Sequence, residues 1–102
     1  MISIKKYLNA LIIQGHAFAG KHGQDIVCAG VSAISLSALN WFNEKAINVI
    51  IRDGYYHLTI VQKNKTNLMY LNLIYIQLAG IAQSYHQYIE IQEFTYELTK
   101  EE

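Results

Sequence analysis

The stretch Ala46-Ile47-Asn48-Val49-Ile50-Ile51-Arg52-Asp53-Gly54-Tyr55-Tyr56-His57-Leu58-Thr59-Ile60-Val61 occupies the middle of the chain. It reads as two strands joined by a tight turn. Residues 46–51 and 56–61 are rich in the β-branched and aromatic side chains that suit a pleated, half-buried surface. Between them, Arg52-Asp53-Gly54-Tyr55 carries Asp-Gly, the pair expected at the centre of a type I′ hairpin. A tight hairpin makes this part of a sheet antiparallel.

Helical patterns flank the hairpin on both sides. Before it, Asp25 stands as an N-cap and a helix is expected from Ile26 to about Lys45. Val27, Val31, Ile34, Ala38 and Trp41 share one face at spacings of three and four. Gly30 inside this helix costs about 1 kcal/mol relative to Ala, so close packing is expected there. The helix is apolar nearly all round, which calls for cover on more than one face. After the hairpin, a polar loop leads to Thr66 or Asn67 as the next cap. Leu68, Leu71, Tyr75, Leu78, Ala82 and Tyr85 then run at helical spacing to about Tyr88.

Strands lie outside the helices. Ile2, Ile4 and Tyr7 alternate weakly, Leu8-Asn9 reads as a turn, and residues 10–14 read as a second, more buried strand that Gly15 ends. Ile89, Ile91, Glu93 and Tyr96 suggest a last strand before a polar tail at 99–102. The order is β-β-α-β-β-α-β. This is an α+β fold, a mostly antiparallel sheet with two helices packed on it, and one domain over residues 1–102.

Composition narrows the function. Hydrophobic residues make up 52% of the 102, enough for a sizeable core. Eight Lys and Arg balance eight Asp and Glu. A neutral chain lacks the electrostatic footprint of a nucleic-acid or membrane binder, so neither partner is expected. Low net charge favours self-association. The single cysteine cannot form an internal disulfide and fits a reducing compartment. No apolar run approaches the roughly 20 residues that span a bilayer. Lys5-Lys6, an apolar run and Ala17-Phe18-Ala19 imitate a secretory leader. That apolar run is short and interrupted by Asn9, and cleavage would remove His16, so the segment is read as strands.

The chemistry concentrates in residues 15–32, which run Gly-His-Ala-Phe-Ala-Gly-Lys-His-Gly-Gln-Asp-Ile-Val-Cys-Ala-Gly-Val-Ser. His16 sits at a strand end, a rigid place for a base. Gly20 and Gly23 punctuate a loop that allows positive φ, with Lys21, His22 and Gln24 keeping it solvated. Cys28 falls third in the helix, where free N–H groups and the positive helix end favour a thiolate. Those N–H groups are also candidates for an oxyanion hole. His16 can take the thiol proton and return it to a leaving amine. Asp25 either caps the helix or orients His16. Ser32, one turn after Cys28, either bonds the thiol or a substrate, or bonds back to its own helix. A zinc site from His16, His22 and Cys28 is disfavoured, because ligands six apart match no common spacing. No metal or cofactor is expected.

Gly15-His16-Ala17 followed by Asp25-Ile26-Val27-Cys28-Ala29-Gly30-Val31-Ser32 resembles the paired blocks of the ribosomal-processing cysteine protease (Prp) family. Asp53-Gly54 and the tail Tyr85-His86-Gln87-Tyr88-Ile89-Glu90-Ile91 fit the same family more loosely. The resemblance implies a cytoplasmic homodimer and a peptidase. Its substrate would be the N-terminal extension of a large-subunit ribosomal protein, number twenty-seven, cut after an aromatic residue and before Ala. It implies Cys28 as nucleophile, His16 as base, Asp25 and Ser32 as supporting residues, and Gly20, His22 and Gly23 in a loop that gates the substrate. The chain departs from the pattern at Gly30, usually Ala, at Phe18 and Ala19, at His86, and in a shorter first hairpin. A different class of function also fits the composition: a non-catalytic dimeric module that binds a ribosomal protein or assembly intermediate.

Overall fold

The structure, a computed structural model, describes residues 1–21 and 23–99. Five strands and two α-helices follow in the order β1 (Ile2–Lys6), β2 (Ala10–Gln14), α1 (Ile26–Ser37), β3 (Ile47–Arg52), β4 (Tyr55–Ile60), α2 (Lys65–Ser84) and β5 (Ile89–Glu93). The expected order and fold class hold. The strands form one sheet in the spatial order β3-β4-β2-β1-β5. Three neighbouring pairs are antiparallel, and β1 with β5 is parallel.

This topology puts both helices on one face. The pairings make β2 and β3 run one way and β1, β4 and β5 the other. Each helix therefore bridges two parallel-running strands, α1 from β2 to β3 and α2 from β4 to β5. The crossovers move in opposite directions across the sheet and start from oppositely directed strands. Two right-handed crossovers of that kind land on the same side. Val27 and Val31 of α1 and Leu71, Ile74 and Leu78 of α2 accordingly share one core with Ile4, Leu11, Ile13, Leu58 and Ile60. Ile81 of α2 approaches α1 at Gly30, where a Cβ would stand 3.4 Å from the Ile81 Cδ1. The helices meet at this glycine, but a Cβ would fit there at ordinary contact distance, so the packing does not require Gly.

The other face carries a smaller cluster of Tyr7, Ala10 and Ile12, with Tyr55, Phe94 and Leu98 packed on it. The segment after β5 reaches it by backbone and side-chain bonds. The Phe94 amide donates to the Lys6 carbonyl at 2.8 Å, and the Leu98 amide donates to Asn9 Oδ1 at 2.8 Å. The stretch that imitates a leader supplies β2, the middle of the sheet.

Several boundaries differ from expectation. The first helix ends at Ser37, and short 3₁₀ turns at Ala38–Trp41 and Glu44–Ala46 replace its expected tail. Ser37 bonds back to the Ala33 carbonyl, Asn40 donates to the Ser37 carbonyl, and Asn43 caps Lys45. Short polar side chains here compete with helical bonding. Trp41 leaves the core face, is 42% exposed and leans on Tyr70. The second helix is capped by Asn64, which accepts from the Asn67 amide at 2.8 Å, so neither Thr66 nor Asn67 is the cap. It ends at Ser84, and Tyr96 lies beyond the last strand. Gly54 has φ +65° but Asp53 does not have positive φ, so the hairpin is not type I′. Lys100, Glu101 and Glu102, part of the expected tail, lie outside the described residues.

Candidate active site

The site forms where the end of β2, the start of α1 and the β3–β4 turn meet. The pairing of Gln14 with Tyr55 sets this arrangement, because it carries residues 15–16 alongside residues 53–54. The Gly15 amide donates to the Gly54 carbonyl at 2.8 Å. Gly15 has φ +97°, and a Cβ there would strike the Met1 carbonyl oxygen. A larger residue would push His16 away from the strand end.

Asp25 caps α1. Its Oδ1 accepts from the Val27 and Cys28 amides at 3.0 Å, and its Oδ2 accepts from the Ala19 amide at 3.0 Å. One carboxylate thus fixes both the helix that carries Cys28 and the preceding loop. The Cys28 amide chiefly, with the Ala19 amide, the Cys28 thiol and the Val27 amide, holds the carboxyl below the ordinary aspartate range against an opposing pull from desolvation. The choice left open by the sequence falls to capping. The Val27 and Cys28 amides are consequently engaged, which removes them as the expected oxyanion donors.

Cys28 is partly buried in the first turn of α1. Its Sγ accepts from the Ala17 amide at 3.2 Å. Among the described residues no hydrogen bond joins the Cys28 thiol to the His16 ring. The His16 side chain is 45% exposed, with Nε2 3.9 Å from Asp53 Oδ1. Its ring lies against the β3–β4 turn, where a Cβ on Gly54 would stand 2.8 Å from Nε2.

Two hollows flank the pair. One, of about 230 Å³, lies between α1 and the hairpin and is lined by Ile13, Val31, Leu36, Ile51, Tyr55 and Tyr56 among others. The second, of about 430 Å³, lies beside the loop against Phe18, Gly20, Gly23, Asp25 and Ala29. His16, Cys28, Ser32 and Asp53 line both. Ser32 therefore faces the site. Among the described residues no group of three His, Cys, Asp or Glu side chains could hold a metal ion.

The loop differs from expectation in one respect. Phe18 takes the left-handed conformation at φ +56° and Gly23 at φ +82°, whereas Gly20 does not. At Gly20 a Cβ would instead press on the Gln24 carbonyl oxygen at 3.0 Å. Phe18 is 77% exposed, with its ring centroid 5.8 Å from that of His16. His22, expected in this loop, lies outside the described residues. Sequence reasoning missed Asp53 and Gly54 as site residues. The Asp-Gly pair signals a turn, and only the strand register brings that turn to His16.

The family model described as cysteine protease Prp matches residues 1–90. The ribosomal processing cysteine protease Prp of Mycoplasma pneumoniae is 36% identical over 95 residues, covering 91% of this chain and 95% of the relative. The protein of that name from Mycoplasma genitalium is 33% identical over 101 residues, covering 95% and 100%. The crystal structure of Prp from S. aureus, an essential ribosomal processing protease in complex with a covalently linked product peptide, superposes with a TM-score of 0.84. It is 25% identical, with 92% of this chain and all of that chain covered.

Proposed function

We propose, from the premise that this chain belongs to the cysteine protease Prp family and is a cysteine-type peptidase, that it processes a ribosomal protein with a His16/Cys28 dyad. The substrate is the N-terminal extension of large-subunit ribosomal protein twenty-seven, cut after an aromatic residue and before Ala. The carrying observation is that His16, Cys28 and Ser32 line both hollows. An extended peptide laid from one hollow to the other crosses the thiol. Ile13, Val31, Leu36 and Ile51 give the smaller hollow an apolar wall beside the polar His16, Ser32, Arg52 and Asp53, and that wall suits an apolar side chain of the peptide.

The chemistry follows from the groups present. The Cys28 sulfur attacks the scissile carbonyl carbon, and its proton passes to His16. The C–N bond breaks and the amine leaves with that proton. Water then attacks the thioester carbon, its proton passes through His16 to the departing sulfur, and the acid is released. The Ala17 amide supports the anionic sulfur. Gly20, His22 and Gly23 belong to the gating loop. The loop shifts for the substrate by releasing the two bonds that hold it at rest, from the Ala17 amide to the Cys28 sulfur and from the Ala19 amide to Asp25.

The same reading makes the chain a single-domain, cytoplasmic homodimer. Met69, Leu73 and Ile76 form an exposed apolar stripe on α2 that supports self-association. Among the described residues no helix is long and apolar enough to cross a membrane.

The test uses a peptide with an apolar segment and one aromatic–Ala bond, followed by mass spectrometry. Wild type is expected to cut that bond. Cys28→Ala is expected to abolish cleavage with the circular dichroism unchanged, and His16→Ala to lower kcat at least about a hundredfold. His16→Ala is also expected to slow alkylation of Cys28 by iodoacetamide. Cleavage by folded Cys28→Ala would overturn the assignment.

A further inference from the structure

Asp25, the carboxylate nearest in sequence to the dyad, is committed to three backbone amides and does not orient His16. Two features of the β3–β4 turn meet the imidazole instead. Gly54 is bare where any side chain would collide with Nε2, and its φ of +65° is one that a residue with a Cβ rarely adopts. Asp53, beside it, presents Oδ1 3.9 Å from the same nitrogen. The Gly15–Gly54 backbone bond locks the turn to the residue that precedes His16.

We propose that Asp53 and Gly54 are positioning residues for His16, Gly54 seating its ring and Asp53 biasing its tautomer for the proton transfer; this rests on His16 acting as the base. A neutral imidazole carries its hydrogen on one nitrogen and a lone pair on the other. A carboxylate on the Nε2 side favours the hydrogen there. The lone pair then sits on Nδ1, which leaves that nitrogen to take the Cys28 proton. Once that proton arrives, Asp53 also faces an imidazolium. Its carboxylate is 97% exposed and lies beyond hydrogen-bond length, so its effect is modest and screened by salt. Gly54 works by shape: without a Cβ it leaves room for the Nε2 end of the ring against the turn.

The experiment combines two readouts on Asp53→Asn, Asp53→Ala and Asp53→Glu. The first is the tautomer of His16, from long-range ¹⁵N–¹H correlation spectra at about pH 8.5, well above the ordinary imidazole range. The second is peptide cleavage at low salt. Wild type is expected as the Nε2–H tautomer. Asn and Ala are expected to redistribute the tautomers and lower kcat about fivefold with KM little changed, and Glu to restore both in part. If either readout stays unmoved in both Asn and Ala, the proposal is overturned. The spectra need no substrate, so failure of the peptidase reading is told apart from failure of this one. Gly54→Asn adds a control on shape, since Asn tolerates the left-handed backbone yet brings a Cβ to the ring. It is expected to move the His16 ring signals and lower kcat at least about tenfold with the fold intact. A folded Gly54→Asn with unchanged His16 signals overturns the role of Gly54.

Discussion

Asp25 bonds the first turn of α1 with one oxygen and the loop residue Ala19 with the other. This division has a pH signature. The folded state holds the carboxyl below its ordinary range, so near that range the unfolded chain binds more protons. The contribution is full above the unfolded value and is lost as pH falls through the lower, folded one. Asp25→Asn keeps the capping oxygen, because Asn is as good an N-cap. Its amide nitrogen cannot accept from Ala19. Wild type is therefore expected to be more stable than Asp25→Asn at neutral pH, with the gap closing below about pH 4. Urea unfolding of both proteins across that range checks it. A gap that widens in acid contradicts the account. Hydrogen exchange at Ala19 is expected to be faster in the variant.

The helices show why each element ends where it does. The α1 pattern continues in the sequence, but Ser37, Asn40 and Asn43 redirect the backbone into 3₁₀ turns. Tyr56 on β4 donates to the Ser35 carbonyl at 2.8 Å, supplying a partner near the helix end. Burial pushes its phenol well above the ordinary range, so it stays a donor. Gly30 allows α1 and α2 to approach, yet its neighbour is the mobile end of Ile81. A methyl group there sits at ordinary contact distance. Gly30→Ala is therefore expected to raise stability by up to about 1 kcal/mol, the helix-interior penalty removed. Thermal unfolding reads this directly. A lowered Tm would mean that Ile81 cannot give way.

At the scale of the molecule, the sheet is covered by helices on one face and in part by residues 94–98 on the other. Apolar side chains remain outside, with Ile76 62% and Met69 49% exposed on α2. With no net charge to oppose association, this stripe is expected to meet a second copy. Sedimentation is expected to give about twice the 11.7 kDa chain mass. Leu73→Lys with Ile76→Lys is expected to yield a folded monomer, because both positions are solvent-facing within one chain. A wild-type monomer at micromolar concentration contradicts this.

The sequence by itself determined the element types, their order and the local layout around His16 and Cys28. Those features depend on periods of two and about 3.6 and on residues adjacent in the chain: Gly15 ending a strand before His16, and Asp25 capping the helix that holds Cys28. Tertiary structure alone decided which groups surround His16 and Cys28. The register of β2 on β4 carries Asp53 and Gly54 to His16 across nearly 40 residues, and no local pattern encodes that distance. It also decided how Asp25 divides its bonds, which engages the amides expected to serve as an oxyanion hole. Short-range signals fix what each segment becomes; the pairing of distant segments fixes what each functional side chain meets.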